Sequence, residues 1–304
     1  MTNTSCRSCG SESIVPIRIR SNLSYVLCKA CGYCEILQLS TNAKSMFEKQ
    51  QARYYGAETP IVSASRSPFD REILVTRGRI VSRYLVERSI VVEVGPGAGT
   101  FLRWLINNGH RVVAFEHSPT VARYLSESFS IHVIVGEFES EATGENWADA
   151  VCSFHVIEHV ADPVRHLARA FEVVRPGGYA FVATPNSCSW EQRLFGNLSP
   201  NYDSAHLRIY SRDSLRRLCE SVGWTVLEVL TPEYTLAWLR VFSKILRRLR
   251  REDEEVTAGK YASSGSAFFR AFAAATIFAS APIRFLQSIC SAGNELFFVL
   301  KKIG

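Results

Sequence analysis

Apolar residues recur along this chain with more than one period, and the change marks its first boundary. Between Ile14 and Leu27 the segments IVPIRIR and LSYVL alternate apolar with polar, the period of short strands. From Ser45 to Gly56 the pattern turns helical. Ala57 to Pro68 is rich in Ser, Pro and Thr and reads as a loop, and Arg71 to Glu87 again sets apolar residues (Ile73, Ile80, Tyr84) at helical spacing. Ser89-Ile-Val-Val-Glu-Val is then a continuous apolar run, the pattern of a strand buried on both faces. It leads through Gly95-Pro-Gly97-Ala-Gly99 into FLRWLINNGH, a helix ended by Gly109, and on to a second strand, Arg111 to Glu116. Further along, Ser211 caps a helix that Gly223 ends, and TVLEVL follows as a strand. Strand, glycine turn, helix and strand predict an α/β sheet, preceded by a small N-terminal unit.

That unit carries the clearest metal signal. Cys6-Arg-Ser-Cys9-Gly10 and Cys28-Lys-Ala-Cys31-Gly32 form the C-x2-C, spacer, C-x2-C pattern of a zinc site. Each pair delivers two thiolates from one turn, and the glycine after it permits the turn's tight backbone. Four thiolates leave no open coordination position, so such a zinc is structural, and it would supply the stability that a segment this small cannot bury for itself. Cys34 is a spare thiol. The expected organisation is a zinc ribbon over 1–39, a helical linker over 40–88 and an α/β domain over 89–304.

The glycine loop narrows the ligand. The pattern is G-x-G-x-G, with Thr at position 100 where a dinucleotide fingerprint has its last glycine, and Glu93 stands two positions before the first glycine. A carboxylate beside the loop suits the cationic amino-acid end of S-adenosylmethionine better than a pyrophosphate, and Glu116 ends the second strand where a ribose-hydroxyl acceptor belongs. From Ile90 to Leu230 the chain resembles class I S-adenosylmethionine-dependent methyltransferases, in particular ubiquinone-biosynthesis O-methyltransferases and their relatives. The resemblance implies a Rossmann-like seven-stranded sheet. Its third strand would be Ile131 to Val135, its fourth Trp147 to Phe154, its fifth Tyr179 to Asn186 after a Pro-Gly-Gly turn, and its seventh Glu295 to Lys301. It also implies cofactor contacts at Glu93, Gly95, Gly97, Gly99, Glu116, Glu137, Phe138 and His155, with Glu137 facing the adenine.

After the fourth strand stands His155-Val-Ile-Glu158-His159, and His206 follows in SAHLRIYS. A helical turn over 155–159 would put His155, Glu158 and His159 on one face. Any of these imidazoles or the carboxylate could act as a base or hold a divalent metal. The layout resembles the metal-dependent 2′-O-methyltransferases of small RNAs, with His155 in place of their first Glu. The expected catalytic residues are therefore His159, His206, Glu158 and His155, with a catalytic metal as an option.

Composition adds limits rather than direction. With 304 residues, 47% hydrophobic and 21% charged, the chain suits one large folded domain with an appendage. A net charge of +6 permits contact with nucleic acid or anionic lipid without requiring either. The start, MTNTSCRSCG, lacks the apolar core of a signal peptide, and cysteines in C-x-x-C pairs suit a reducing compartment, so a cytoplasmic location is expected. Residues 231–293 form an apolar and basic insertion between strands six and seven. Its uncharged run, broken by Arg270, Pro282 and Arg284, is too short to span a bilayer, so it is expected to be a helical lid, a dimer interface or a peripheral element at the inner membrane face. The leading expectation is O-methylation of a small-molecule, sugar or lipid-linked acceptor. RNA methylation through the ribbon and sugar C-methylation are the alternatives.

Overall fold

The computed structural model describes residues 4–20, 23–37, 68–141, 143–203, 205–250 and 267–304. The helix expected at Ser45 to Gly56 and nearly all of the loop after it lie outside the described residues.

Two sheets organise the chain. The N-terminal hairpin pairs β1 (Ile14–Arg20) with β2 (Leu23–Cys28) antiparallel, and β3 (Cys34–Ile36) extends it. The main sheet contains β4 (Ile90–Val94), β5 (Arg111–Glu116), β6 (His132–Val135), β7 (Ala148–Phe154), β8 (Val174–Pro185), β10 (Thr225–Leu230) and β11 (Glu295–Lys301). Its order is β10-β11-β8-β7-β4-β5-β6. The five strands from β4 to β8 are parallel, and β11 inserts antiparallel between β8 and β10. This is the Rossmann-like seven-stranded sheet that the resemblance implied, and the reversal at β11 brings Glu295 to the same edge as the ends of the parallel strands.

The parallel strands are apolar almost throughout because helices cover both faces. On one face lie α1 (Pro68–Val81), α2 (Thr100–Asn107) and α3 (Pro119–Phe129), packing Ile80, Leu102, Leu105, Val121 and Leu125 on Val91, Ala114 and Phe181. On the other, α4 (Pro163–Val173) and α6 (Arg212–Ser221), with the short α5 (Trp190–Phe195) between them in the chain, bury Leu167, Val173, Leu215 and Cys219 with Val92, Val182 and Phe298. Asp162 and Ser211 cap these two helices through their side chains, as the N-cap preference for Asp and Ser dictates.

The small unit is not a free module. Strand β9 (Arg208–Ile209), from deep in the α/β region, pairs antiparallel with β3 and completes the ribbon's sheet. Tyr33 packs on Tyr210 with ring centroids 5.8 Å apart, Ser187 donates to the Gly32 carbonyl at 2.5 Å, and Arg217 donates to the Ser8 carbonyl at 3.2 Å. Cys6, Cys28 and Tyr33 accordingly belong to the same apolar core as β8 and β11. A boundary at residue 39, read from composition, divides the sequence but not the packing.

Among the described residues the insertion contains two helices, α7 (Thr235–Arg250) and α8 (Ala267–Ile289). The expectation that its apolar run is too short to cross a bilayer needs correction. The helix continues through Pro282 and Arg284 for 23 residues, and Ala271–Ile289 is long and apolar enough to span, with a mean hydropathy of 1.3.

Candidate active site

All of the chemistry-bearing residues except the ribbon cysteines gather along the carboxyl edge of the parallel strands, where a doubly wound sheet opens its crevice. The cofactor half comes from one continuous segment. Gly95, Gly97 and Gly99 take φ values of 62°, 55° and 74°, the left-handed region that side chains resist. Space is equally short there, since a Cβ on Gly95 would come within 2.9 Å of Val156 and one on Gly99 within 2.7 Å of Phe129.

Glu93 lies buried beneath this loop, in register between Ala114 and Cys152. Its Oε2 has no hydrogen-bond partner, and burial raises its carboxyl to about 8 against the opposing charge of Arg77. A buried acid with an unpartnered oxygen beside a glycine loop suits a ligand that brings a cation. Glu116, at the end of β5, accepts from the Ser118 amide at 2.9 Å, and burial pushes its carboxyl up as well. Glu137 follows β6, exposed at the same edge. The residues present thus fit S-adenosylmethionine: the loop approaches it, Glu93 suits its amino-acid end and Glu116 its ribose. Phe138 departs from expectation. Its ring is buried in the core, 4.9 Å from Phe115 and 5.5 Å from His166 between centroids, so it supports the site from below.

The acceptor half is assembled from distant segments. Residues 155–159 do not form the expected helical turn. His155 has φ 56°, a conformation rare for a non-glycine residue. Its Nδ1 lies 3.0 Å from Glu158 Oε1 and its Nε2 2.8 Å from Glu295 Oε2. Burial alone would push this imidazole down, but the bonds and charges of the two carboxylates prevail and hold it up at about 9. His155 is therefore a cation between two anions, not a free base beside Glu158 and His159. Glu295 also accepts from Arg77 and, at 2.9 Å, from the Tyr234 hydroxyl, while Thr184 donates to Glu158 Oε2 at 3.0 Å.

Beyond that network stands a second group. One ligand atom each of Glu158, His159 and His206 converges so that all lie within 4.8 Å of one another. His159 Nδ1 lies 2.9 Å from the Ala205 carbonyl and His206 Nδ1 2.7 Å from the Asn201 carbonyl. A carbonyl only accepts, so each Nδ1 carries the proton and each Nε2 the lone pair. Backbone partners that fix the tautomer in this way are the usual support of metal-binding or proton-accepting histidines. Two imidazole nitrogens and a carboxylate suit Zn or Fe as well as a proton.

The ribbon reaches this site. The Tyr25 hydroxyl on β2 lies 2.6 Å from the Asp203 carbonyl and 2.7 Å from the His206 carbonyl. Arg208 donates to the carbonyls of Val160 and Ala161 at 2.8 and 3.1 Å, and the Leu207 amide to that of Glu158 at 2.8 Å. Cys6, Cys9, Cys28 and Cys31 form a cluster in the ribbon, with no disulfide among them. Cys6 to Cys31 is 3.7 Å and Cys9 to Cys28 is 3.6 Å between sulfurs. Four sulfurs around zinc at the usual bond length would stand roughly 3.8 Å apart, so the cluster fits the ion. Gly10 and Gly32 donate to the carbonyls of Cys6 and Cys28, each at 2.8 Å and each with positive φ, so the two knuckles repeat one geometry. Cys34 is buried outside the cluster.

Sequence reading brought the loop, Glu93, Glu116, Glu158, His159 and His206 to this edge. It missed Glu295, Arg77, Tyr234 and Tyr25. Only Glu295 left a signal, an acid opening an otherwise apolar strand.

Comparison with known proteins agrees with this geometry. Residues 69–229 match the family described as methyltransferase domain. A "probable S-adenosylmethionine-dependent methyltransferase" of Mycolicibacterium smegmatis is 28% identical over 141 residues, 46% of this chain and 53% of that protein, so the chain spans about half of this relative's length. A ubiquinone biosynthesis O-methyltransferase of Aromatoleum aromaticum is 28% identical over 160 residues, 47% of this chain and 67% of the relative. Among solved structures, the Burkholderia thailandensis 1,6-didemethyltoxoflavin-N1-methyltransferase, with bound 1,6-didemethyltoxoflavin and S-adenosylhomocysteine, superposes with a TM-score of 0.54 at 13% identity, covering 95% of this chain and 99% of that one. A chain from the complex of the Haloferax volcanii Trm112 methyltransferase activator with a methyltransferase gives 0.53 at 18% identity, covering 86% and 98%. At these identities the structures show the fold alone. With the family match spanning more than half of its length, the chain belongs to the methyltransferase-domain family.

Proposed function

We propose that this enzyme methylates a hydroxyl group on a small-molecule, sugar or lipid-linked acceptor. The observation that carries the reading is the meeting of His159, His206 and Glu158 at the strand edge, with both imidazole Nε2 lone pairs set by backbone carbonyls. Methyl transfer from a sulfonium is an in-line displacement by an already activated donor. The protein's tasks are alignment and, for a hydroxyl acceptor, removal of its proton. His206 or His159 accepts that proton, and Glu158 stabilises the resulting imidazolium. A divalent cation held by the same three side chains would instead supply Lewis acidity toward the acceptor oxygen. Cys6, Cys9, Cys28 and Cys31 hold a structural zinc that braces the His206 segment through Tyr25. The O-methyltransferase name of the Aromatoleum aromaticum relative supports the hydroxyl reading.

The test begins with labelled S-adenosylmethionine and a cell extract lacking the enzyme, partitioned into lipid, RNA and water-soluble pools. Label in the lipid or soluble pool, released as volatile methyl iodide by hot hydriodic acid as an O-methyl group is, supports the reading. Label in RNA or on carbon overturns it. On the acceptor so found, His206→Ala is expected to lower kcat by about a hundredfold or more with cofactor affinity nearly unchanged. Unchanged turnover removes His206 from the catalytic centre.

A further inference from the structure

Helix α8 is built inside out. Apart from the half-buried Ile277, the residues it turns toward the protein are small or polar: Ala273 and Gln287 are buried, and Ser280 and Arg284 are half-buried, all at helical spacing. Arg284 pairs there with Glu72, Gln287 Oε1 accepts from the Trp238 indole at 3.3 Å, and the Ser288 carbonyl accepts from Thr231 at 2.9 Å. The residues it turns outward are Phe272, Phe278, Ile283, Phe285, Leu286 and Ile289. Phe278 is 84% exposed and Phe285 68%, and only 11% of the Ala271–Ile289 window is buried. A helix in water does the reverse, and an apolar face of this size marks a binding surface.

We propose that this face lies in the interface of an anionic membrane, seating the methyltransferase on the lipid surface. Three observations favour lipid over a second copy of the chain. First, the neighbouring helix α7 carries Arg240, Lys244, Arg247, Arg248 and Arg250 and no acid, although the acids at 252–255 follow it outside the described residues. Apolar and basic helices side by side match acyl chains and anionic headgroups. Second, two copies meeting through α8 would bring two such basic helices together, which like charges oppose. Third, the hydroxyl of Thr276, one turn from the outward Phe272, donates to the Phe272 carbonyl in its own helix at 2.9 Å, so it needs no water. The helix, about 34 Å long, lies along the surface rather than crossing. To span, it would have to pull Arg284 from Glu72 and Gln287 from Trp238. The interface is separate from the chemistry of Glu158, His159 and His206, and its test does not depend on the acceptor.

Flotation of the full chain with phosphatidylcholine vesicles, with and without phosphatidylglycerol, is the experiment. The native protein is expected to float with the anionic vesicles. Replacing both Phe278→Glu and Phe285→Glu, already solvent-facing, is expected to weaken binding at least about tenfold with an unchanged Tm. Arg247→Glu with Arg248→Glu should abolish the preference for phosphatidylglycerol. Native protein left at the bottom with both vesicle types overturns the proposal. So does a phenylalanine double variant that floats as well as native, or a lipid-free dimer that this double variant converts to monomer.

Discussion

The two halves of the strand edge are built by different means. On the cofactor side a single run from Ile90 to Glu116 supplies strand, glycine turn, helix and acid, and its shape rests on backbone conformation and apolar packing. On the acceptor side, Arg77, His155, Glu158, His206, Glu295 and Tyr25 come from segments far apart in the chain, and buried charges and carbonyl contacts hold them. Shape made from backbone is local and tolerant of change elsewhere. Shape made from paired charges fails when any one partner is removed, because the others stay buried without a counter-charge.

The largest expected effect follows from that contrast. Glu295→Ala would strip both Arg77 and His155 of their shared carboxylate, at a cost of about 3 kcal/mol or more. Chemical denaturation measures it, and a loss below about 1 kcal/mol would show that the network is not structural. Next comes the metal. Stripping zinc with a chelator, or Cys28→Ser, should lower kcat at least about tenfold through the His206 segment while cofactor affinity stays within about twofold. Equal losses of both would erase the distinction between the halves.

On the cofactor side Glu93→Gln should weaken S-adenosylmethionine binding by about tenfold, with little effect on Tm. In the native protein the Glu93 carboxyl, raised to about 8, is mostly protonated at neutral pH. A cationic ligand favours its ionised form, so affinity should strengthen as pH rises toward about 8 and then level off. The Gln variant lacks this component, and identical pH profiles would exclude Glu93 as the ammonium partner. The smallest effect belongs to Tyr25→Phe, which removes the hydroxyl contacts with the Asp203 and His206 carbonyls. A loss of about 1 kcal/mol in kcat/KM is expected, appearing in kcat rather than in cofactor binding.

The contrast also explains what sequence reading reached. The glycine loop, Glu93 and Glu116 were legible because spacing along one strand-turn-helix unit dictates their placement. The cysteine knuckles were legible for the same reason. His159 and His206 were legible only as residue types near a motif, and nothing in either segment announces that they meet. His155 does meet Glu158, but through a left-handed bend at residue 155 rather than the helical turn that ordinary backbone angles would give. Glu295 and Tyr25 act through partners far away in the chain, so their roles exist only once β11 has inserted and β9 has joined the ribbon. The outward face of α8 was visible as apolar composition, but which side of the helix meets the protein is decided by Arg284 and Glu72 together.

The pairing of β3 with β9 has a consequence for how the protein is made. Strand β3 leaves the ribosome long before Arg208 and Ile209, its edge partners, have been translated. Throughout that interval the nascent ribbon exposes an unpaired strand edge, the kind of surface through which chains associate wrongly. Early zinc capture would keep the hairpin and its third strand folded and in register until the late-arriving strand closes the sheet. A cell short of zinc would then show the defect first in the yield of folded enzyme, before any change in the rate of the molecules that succeed.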